Sequence, residues 1–266
     1  MNLKNTNLRK MGKQVTIAVI GKGKVGTSFA ERIAKTDGYS LFSHLSARKK
    51  SFTELQKSGG PQILFICSKD SEISAVARKA VSSAGKNLKL VVHCAGSRPS
   101  TILPLRKGVA RLMLHPMQTF PIAKSGLLKN IYFAISSADK SALLWAKQFV
   151  KEIGGKGIIE IKAKDLPLYH TLVVFASNFT TLLGGAVEVF SKSLKTPRVQ
   201  MKAALKPLMK NSLENVLNAD AAKVLTGPLA RRDHSTILKH RIALKDQPAP
   251  LSKIYEGFVL LADEIL

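Results

Sequence analysis

Residues 14–30 read QVTIAVIGKGKVGTSFA, and this stretch decides the fold. Val15, Ile17, Val19 and Ile20 form an apolar run of strand length; Gly21, Gly23 and Gly26 follow; Val25, Phe29 and Ile33 then recur at helical spacing. A strand that turns through glycines into a helix offers an anion the helix's unpaired first N–H groups and the positive end of its dipole. In this G-x-G-x-x-G pattern the first glycine permits the tight turn. The second lets the backbone reach a pyrophosphate with no Cβ in the way, and the third lets helix and strand pack closely. The expected ligand is a dinucleotide, held by Gly21, Gly23, Lys24, Val25 and Gly26.

Working outward, the chain alternates strands and helices. Tyr39–Leu45 reads as a second strand, Gln62–Cys67 and Leu88–Cys94 as strands buried on both faces, and Ala110–Leu114, Ile131–Ser136 and Gly157–Ile161 as three more. Helices are expected over Asp70–Ala84 and Asp139–Ile153. This alternation predicts an α/β fold with a doubly wound, mostly parallel sheet. From Asp165 onward the pattern becomes helical, with segments at Leu166–Lys192, Arg198–Asn218, Ser235–Lys245 and Ala249–Ile265. The expected organisation is a basic tail over 1–12, a dinucleotide-binding domain over 13–163 and an all-helical substrate or dimerisation domain over 164–266. The most apolar run, Thr171–Phe190, carries Asn178 and Glu188, which are costly against lipid, so it is expected to be a buried helix and not a membrane span.

Composition narrows the function. Apolar residues make up 45% of the 266, enough for a folded core, while the net charge of +25 favours phosphorylated ligands or anionic surfaces. Aromatics are only 6% and the basic residues are spread along the chain, which argues for a solvated basic surface over a nucleic-acid interface. Cys67 and Cys94 lie far apart in sequence with no metal-ligand spacing, so neither a zinc site nor a disulfide framework is indicated. They read as small buried residues at strand ends. A reducing cytoplasm fits, and the polar, basic first residues do not form a secretory signal.

The dinucleotide can be specified further. An acid about 20 residues beyond the glycines receives the ribose 2′-hydroxyl of NAD, whereas basic residues there accommodate a 2′-phosphate. The second strand ends in Ser46-Ala47-Arg48-Lys49-Lys50, with no acid. Ser46 with Arg48 or Lys49 therefore favours NADP(H) over NAD(H). Ligands in such sheets lie beyond the carboxyl ends of the strands, which places Cys67-Ser68-Lys69 and Cys94-Ala95-Gly96-Ser97 in the same crevice, with Cys67, Ser68 and Gly96 as cofactor-binding candidates. His115 follows a strand at that end, with Gln118 and Thr119 near it. His170 precedes Ser177 and Asn178 by seven and eight residues, two helical turns, so the three can share a face. His93 lies within a strand and reads as packed. Candidate catalytic residues are His115, His170 and Asn178. Asp233 is the expected N-cap of the helix beyond it, and Arg231 could grip an acidic substrate.

The segments VIGKGKVGTSFA (19–30), VVHCAGS (91–97), LHPMQTF (114–120), LYHTLVVFASNFTTLL (168–183) and LTGPLARRDHSTILKH (225–240) together resemble one family over nearly the whole chain. These are Rossmann-like oxidoreductases with a C-terminal helical domain of unknown function. They are related to pyrroline-5-carboxylate reductase, ketopantoate reductase and the 6-phosphogluconate dehydrogenase superfamily. The resemblance implies NADP dependence, a homodimer through the helical domain and an active site between the domains, and it brings no substrate. It also shows a departure. Hydroxyacid dehydrogenases and ketopantoate reductase carry a lysine one turn before the asparagine that Asn178 matches, and here Val174 stands in that place. Carbinol oxidation through that lysine is thereby disfavoured, while imine reduction does not require it. The expected function is an NADP(H)-dependent reductase of a small imino or keto metabolite; the alternative is a non-catalytic dinucleotide-binding sensor.

Overall fold

A computed structural model describes residues 14–266. The expected basic tail over 1–12 lies outside the described residues. Seven strands form one sheet: β1 (Val15–Ile20), β2 (Tyr39–Leu45), β3 (Ile63–Ile66), β4 (Leu90–His93), β5 (Ala110–Pro116), β6 (Tyr132–Ser136) and β7 (Gly157–Glu160), in the order β2-β1-β3-β4-β5-β6-β7. Every neighbouring pair is parallel except β5 with β6. The doubly wound, mostly parallel sheet expected from the alternation is present.

The apolar runs of β3 and β4 are buried throughout because helices cover both faces. On one face, α1 (Lys24–Ala34) and α3 (Lys140–Glu152) bring Phe29, Ile33, Trp145 and Phe149 onto Val19, Phe65 and Val92. Phe65 is the centre of this layer, with its ring 5.1 Å from Phe29 and 5.6 Å from Phe149. On the other face, α2 (Ile73–Ser83) sets Ile73, Ala77 and Ala80 against Ile20, Leu64, Ile66 and Val91. Core burial on both faces leaves the strand ends free for polar chemistry to gather.

The chain divides into two compact units, 1–178 and 179–266. The sequence pattern changes character near Lys164, and the packing divides later, because α4 (Leu166–Val174) buries Leu166 and Tyr169 against Met113 and Ala134 of the sheet. A π-turn over Phe175–Phe179 follows α4. The second unit is helical: α5 (Thr180–Ser193), α6 (Arg198–Asn218), α7 (Ala221–Val224), α8 (Gly227–Ala230), α9 (His234–Ala243) and α10 (Ala249–Ile265). Asp233 caps α9 as expected, accepting from the Thr236 N–H at 3.0 Å.

One expectation fails here. The apolar run Thr171–Phe190 is not buried within the chain: Leu172, Phe175 and Leu182 are each more than half exposed. The helix Ala163–Ser193 is long and apolar enough to cross a membrane by length and composition. Reading hydropathy as burial assumed that the same chain supplies the cover, and these helices keep their apolar residues on the outside. Leu208, Leu217 and Leu260 on α6 and α10 are exposed in the same way.

Candidate active site

The glycine turn is built as the sequence demands. Gly21 has a φ of +126°, in the region that favours glycine, and a Cβ there would sit 2.2 Å from the Cys67 carbonyl oxygen. A Cβ on Gly26 would lie 2.0 Å from the Gly21 carbonyl oxygen, so the first turn of α1 rests directly on the glycine turn. At Gly23, the N-cap of α1, a Cβ would meet nothing within 4 Å. The three glycines thus divide into two required by internal packing and one facing open space at a helix N-terminus. That division fits a dinucleotide pyrophosphate approaching over Gly23.

Beside the turn is a cavity of about 370 Å³, lined by Gly23, Lys24, Val25, Cys67, Ser68, Lys69, Asp70, Cys94, Ala95 and Phe120. The structure therefore brings together Gly23, Lys24, Val25, Cys67 and Ser68 from the expected set, at the carboxyl ends of β1, β3 and β4. The end of β2 is tied to the turn, since Gly21 N–H donates to the Leu45 carbonyl at 2.8 Å and His44 Nε2 lies 3.0 Å from the Gly21 carbonyl oxygen. Ser46 and Arg48 follow directly. Ser46 Oγ accepts from the Arg48 N–H at 3.3 Å, and the Arg48 side chain is exposed. Lys49 is engaged by Glu54, whereas no acidic partner holds Arg48 or Lys50 among the described residues.

A second group of residues lies where β4 and β5 end. His115 Nδ1 is 2.7 Å from the Tyr169 hydroxyl, and the His115 and His170 rings stand 5.9 Å apart. Gly96 holds this cluster close to the chain: a Cβ there would be 2.8 Å from His170 Cδ2 and 3.0 Å from His115 Nδ1. Ala95 lines the cavity and Gly96 touches both histidines, so the cluster adjoins the cavity through one peptide. Burial, with lesser effects from His170 and His93, holds His115 down to about 4 and keeps it neutral at neutral pH. Burial also pushes the Tyr169 phenol up to about 12. His93 is packed, as its position in a strand suggested. Its Nδ1 accepts from the Ala95 N–H and its Nε2 faces the Pro99 carbonyl, each at 3.3 Å, and burial lowers it to about 4.

Asn178 is exposed in the π-turn that follows α4. Its Oδ1 accepts from Ser177 Oγ at 3.0 Å, and the π-turn in which it lies interrupts the regular helical period on which the shared face with His170 depended. Sequence reasoning missed Tyr169, whose partner lies 54 residues away, and also Asp70 and Phe120 as individual cavity residues, while Lys69 lines the cavity as expected. Tyr169 carried no spacing signal, since it is embedded in an apolar helix. Phe120 closes the LHPMQTF segment and Asp70 follows Lys69, so a reading of strand-end loops as whole segments reaches both.

A parallel sheet with this glycine turn, joined to helices beyond β7, defines a Rossmann-like protein with a C-terminal helical domain. Residues 131–261 match the family described as Domain of unknown function (DUF2520). The structure is similar to that of a Bacteroides fragilis protein provisionally named an NADP oxidoreductase, with a TM-score of 0.73 and 20% identity over 95% of this chain and 98% of that one. It is also similar to an imine reductase from Myxococcus stipitatus in complex with NADP+, with a TM-score of 0.64 and 16% identity over 94% and 93% of the two chains. A third similar structure is Plasmodium falciparum pyrroline carboxylate reductase with NADP bound, at 0.60 and 15% over 95% and 97%. No curated protein matches the chain.

Proposed function

We propose that the protein is an NADP(H)-dependent reductase of a small imino or keto metabolite. The observation that carries this reading is the adjacency, through Ala95–Gly96, of the glycine-turn cavity and the His115–Tyr169 pair. Two of the similar structures, an imine reductase and a pyrroline carboxylate reductase, contain NADP in their described complexes, which supports a nicotinamide dinucleotide here. The N–H groups at the start of α1, with Lys24, hold the pyrophosphate, and Ser46 and Arg48 receive the 2′-phosphate. Bound in this way, the reduced nicotinamide supplies the hydride.

The chain's own residues supply orientation and the proton. Neutral His115, with Nδ1 accepting from the Tyr169 O–H, is fixed in the tautomer that carries its proton on Nε2. That N–H gives its proton to the nitrogen or oxygen of the C=N or C=O group as negative charge develops there, while the Tyr169 O–H passes its proton to Nδ1 and is reprotonated from solvent. His170 and Asn178 bind the polar groups of the substrate. Val174, half-buried on α4, offers no proton relay, so reduction of an imine or ketone is favoured over alcohol oxidation. The exposed leucines of the helical unit are covered by a second copy of the chain, which makes the working form a homodimer, and the site belongs to a cytoplasmic enzyme.

Titration with NADPH and NADH, followed by turnover on a panel of cyclic imines, imino acids and keto acids, tests the proposal. NADPH binding with turnover on an imino or keto substrate is expected. Binding without turnover on any of them favours a sensor, and no binding of either cofactor overturns both readings.

A further inference from the structure

The two cysteines are neighbours in space. Ile66 of β3 and His93 of β4 are paired in register, so the next residues, Cys67 and Cys94, emerge side by side at the sheet's carboxyl end. Their Sγ atoms are 3.7 Å apart, both thiols are free, and both residues line the cavity beside the glycine turn. Adjacent strands lie about 4.8 Å apart, within the Cα separation a disulfide spans, and closing the two sulfurs to about 2.0 Å needs only side-chain rotation and a small shift. We propose that Cys67 and Cys94 form a reversible disulfide under peroxide, and that this modification and dinucleotide binding oppose each other. The second half rests on the cofactor reading above.

The coupling follows from packing. Cys67 lies directly under the glycine turn: its Cβ would be 3.2 Å from a Cβ on Gly21 and 3.1 Å from one on Gly26, and its carbonyl is in closer contact still. There is no slack between Cys67 and the turn, so drawing Cys67 towards Cys94 shifts the backbone that holds the pyrophosphate. In the other direction, a dinucleotide filling the cavity covers both sulfurs.

The chemistry balances with hydrogen peroxide as oxidant. The Cys67 sulfur attacks the peroxide; an S–O bond forms, the O–O bond breaks, and one water leaves, giving a sulfenic acid. The Cys94 sulfur then attacks the Cys67 sulfur; the S–S bond forms, the S–O bond breaks, and a second water carries away the Cys94 proton. Two thiols lose two electrons and one peroxide becomes two waters. The order of events has a physical cause, because the Cys67 thiol beside it, and then burial, push the Cys94 thiol well above its ordinary range. Cys94 therefore stays protonated and acts as the resolving partner.

The test uses the reduced full-length protein, hydrogen peroxide and intact mass spectrometry. A loss of about 2 Da, a cross-linked peptide joining Cys67 to Cys94 and full reversal by dithiothreitol are expected. Saturating NADPH should slow the cross-link at least about tenfold, and the oxidised protein should bind NADPH at least about tenfold more weakly, because linkage is reciprocal. Cys67→Ser and Cys94→Ala should each abolish the loss of mass, and the wild-type measurement stands by itself if either variant fails to fold. Stable addition of oxygen to one cysteine without a cross-link overturns the disulfide. Equal rates with and without NADPH, together with equal NADPH affinity in both redox forms, overturn the coupling. Failure of the reduced protein to bind NADPH overturns the cofactor reading and the coupling with it, while the mass measurement still decides whether the thiols join.

Discussion

His115 Nδ1 and the Tyr169 hydroxyl lie 2.7 Å apart although 54 positions separate them in the chain, and Tyr169 is buried. The contact joins the end of β5 to α4 and sets the orientation of the imidazole next to the cavity. If the phenol fixes the tautomer that donates through Nε2, Tyr169→Phe should lower kcat by about 10- to 100-fold with NADPH affinity unchanged. His115→Ala should lose at least as much. Stopped-flow hydride transfer and cofactor fluorescence titration separate the two effects, and weakened cofactor binding with normal turnover would remove the pair from the chemistry.

Because burial holds His115 at about 4, its neutral form persists down to that pH. The rate profile should show no limb from His115 between pH 5.5 and 8. A limb near the ordinary histidine value of about 6.5 that disappears in His115→Gln would show that the imidazole is not desolvated as described.

The glycines separate folding from binding. Gly23→Ala meets open space, so its melting temperature should stay within about 2 °C of the parent while affinity for NADPH falls by about tenfold or more. Gly26→Ala forces a Cβ to 2.0 Å from the Gly21 carbonyl oxygen, and its cost should appear in stability, at about 2 kcal/mol or more. Thermal melts and cofactor titrations on both variants check the contrast; loss of stability at Gly23 would place that residue in the packing.

Arg48→Ala should weaken NADPH by about 10- to 100-fold and leave NADH within about twofold. Lys49→Ala should matter less, since Glu54 already engages Lys49. Equal losses for the two cofactors with Arg48→Ala would rule out a 2′-phosphate contact at the end of β2.

His93 gives the fold a pH dependence of known sign. Its folded value of about 4 lies below the ordinary 6.5, so between those values the unfolded chain binds more protons than the folded one. Stability is complete above about pH 6.5 and declines as the pH falls towards 4, by about 3 kcal/mol from this residue. Urea denaturation at pH 7 and pH 4.5 measures the difference. A neutral substitute, His93→Gln, should remove this share and leave the similar one of His115, which burial holds at the same value.

The strand-turn-helix at 15–34 was legible because each of its requirements is local: apolar alternation, glycine spacing and helical periodicity all lie within twenty residues. The buried runs of β3 and β4 were legible for the same reason. The Tyr169 contact with His115 and the direct approach of the Cys67 and Cys94 sulfurs were not, because each depends on how distant segments lie together. The exposed run beginning at Thr171 shows a different limit. Hydropathy reports that a surface seeks cover, and it is silent on whether the cover belongs to the same chain.

At the far end of the sheet, β7 is only four residues long and pairs with β6 alone. Lys147, Lys151 and Lys156 surround a hollow beside it. An open strand edge is a template on which another chain can add a strand, and positive charges at that edge make the addition costly. Positive charge set at that edge works against edge-to-edge addition, whatever else the +25 of the chain serves.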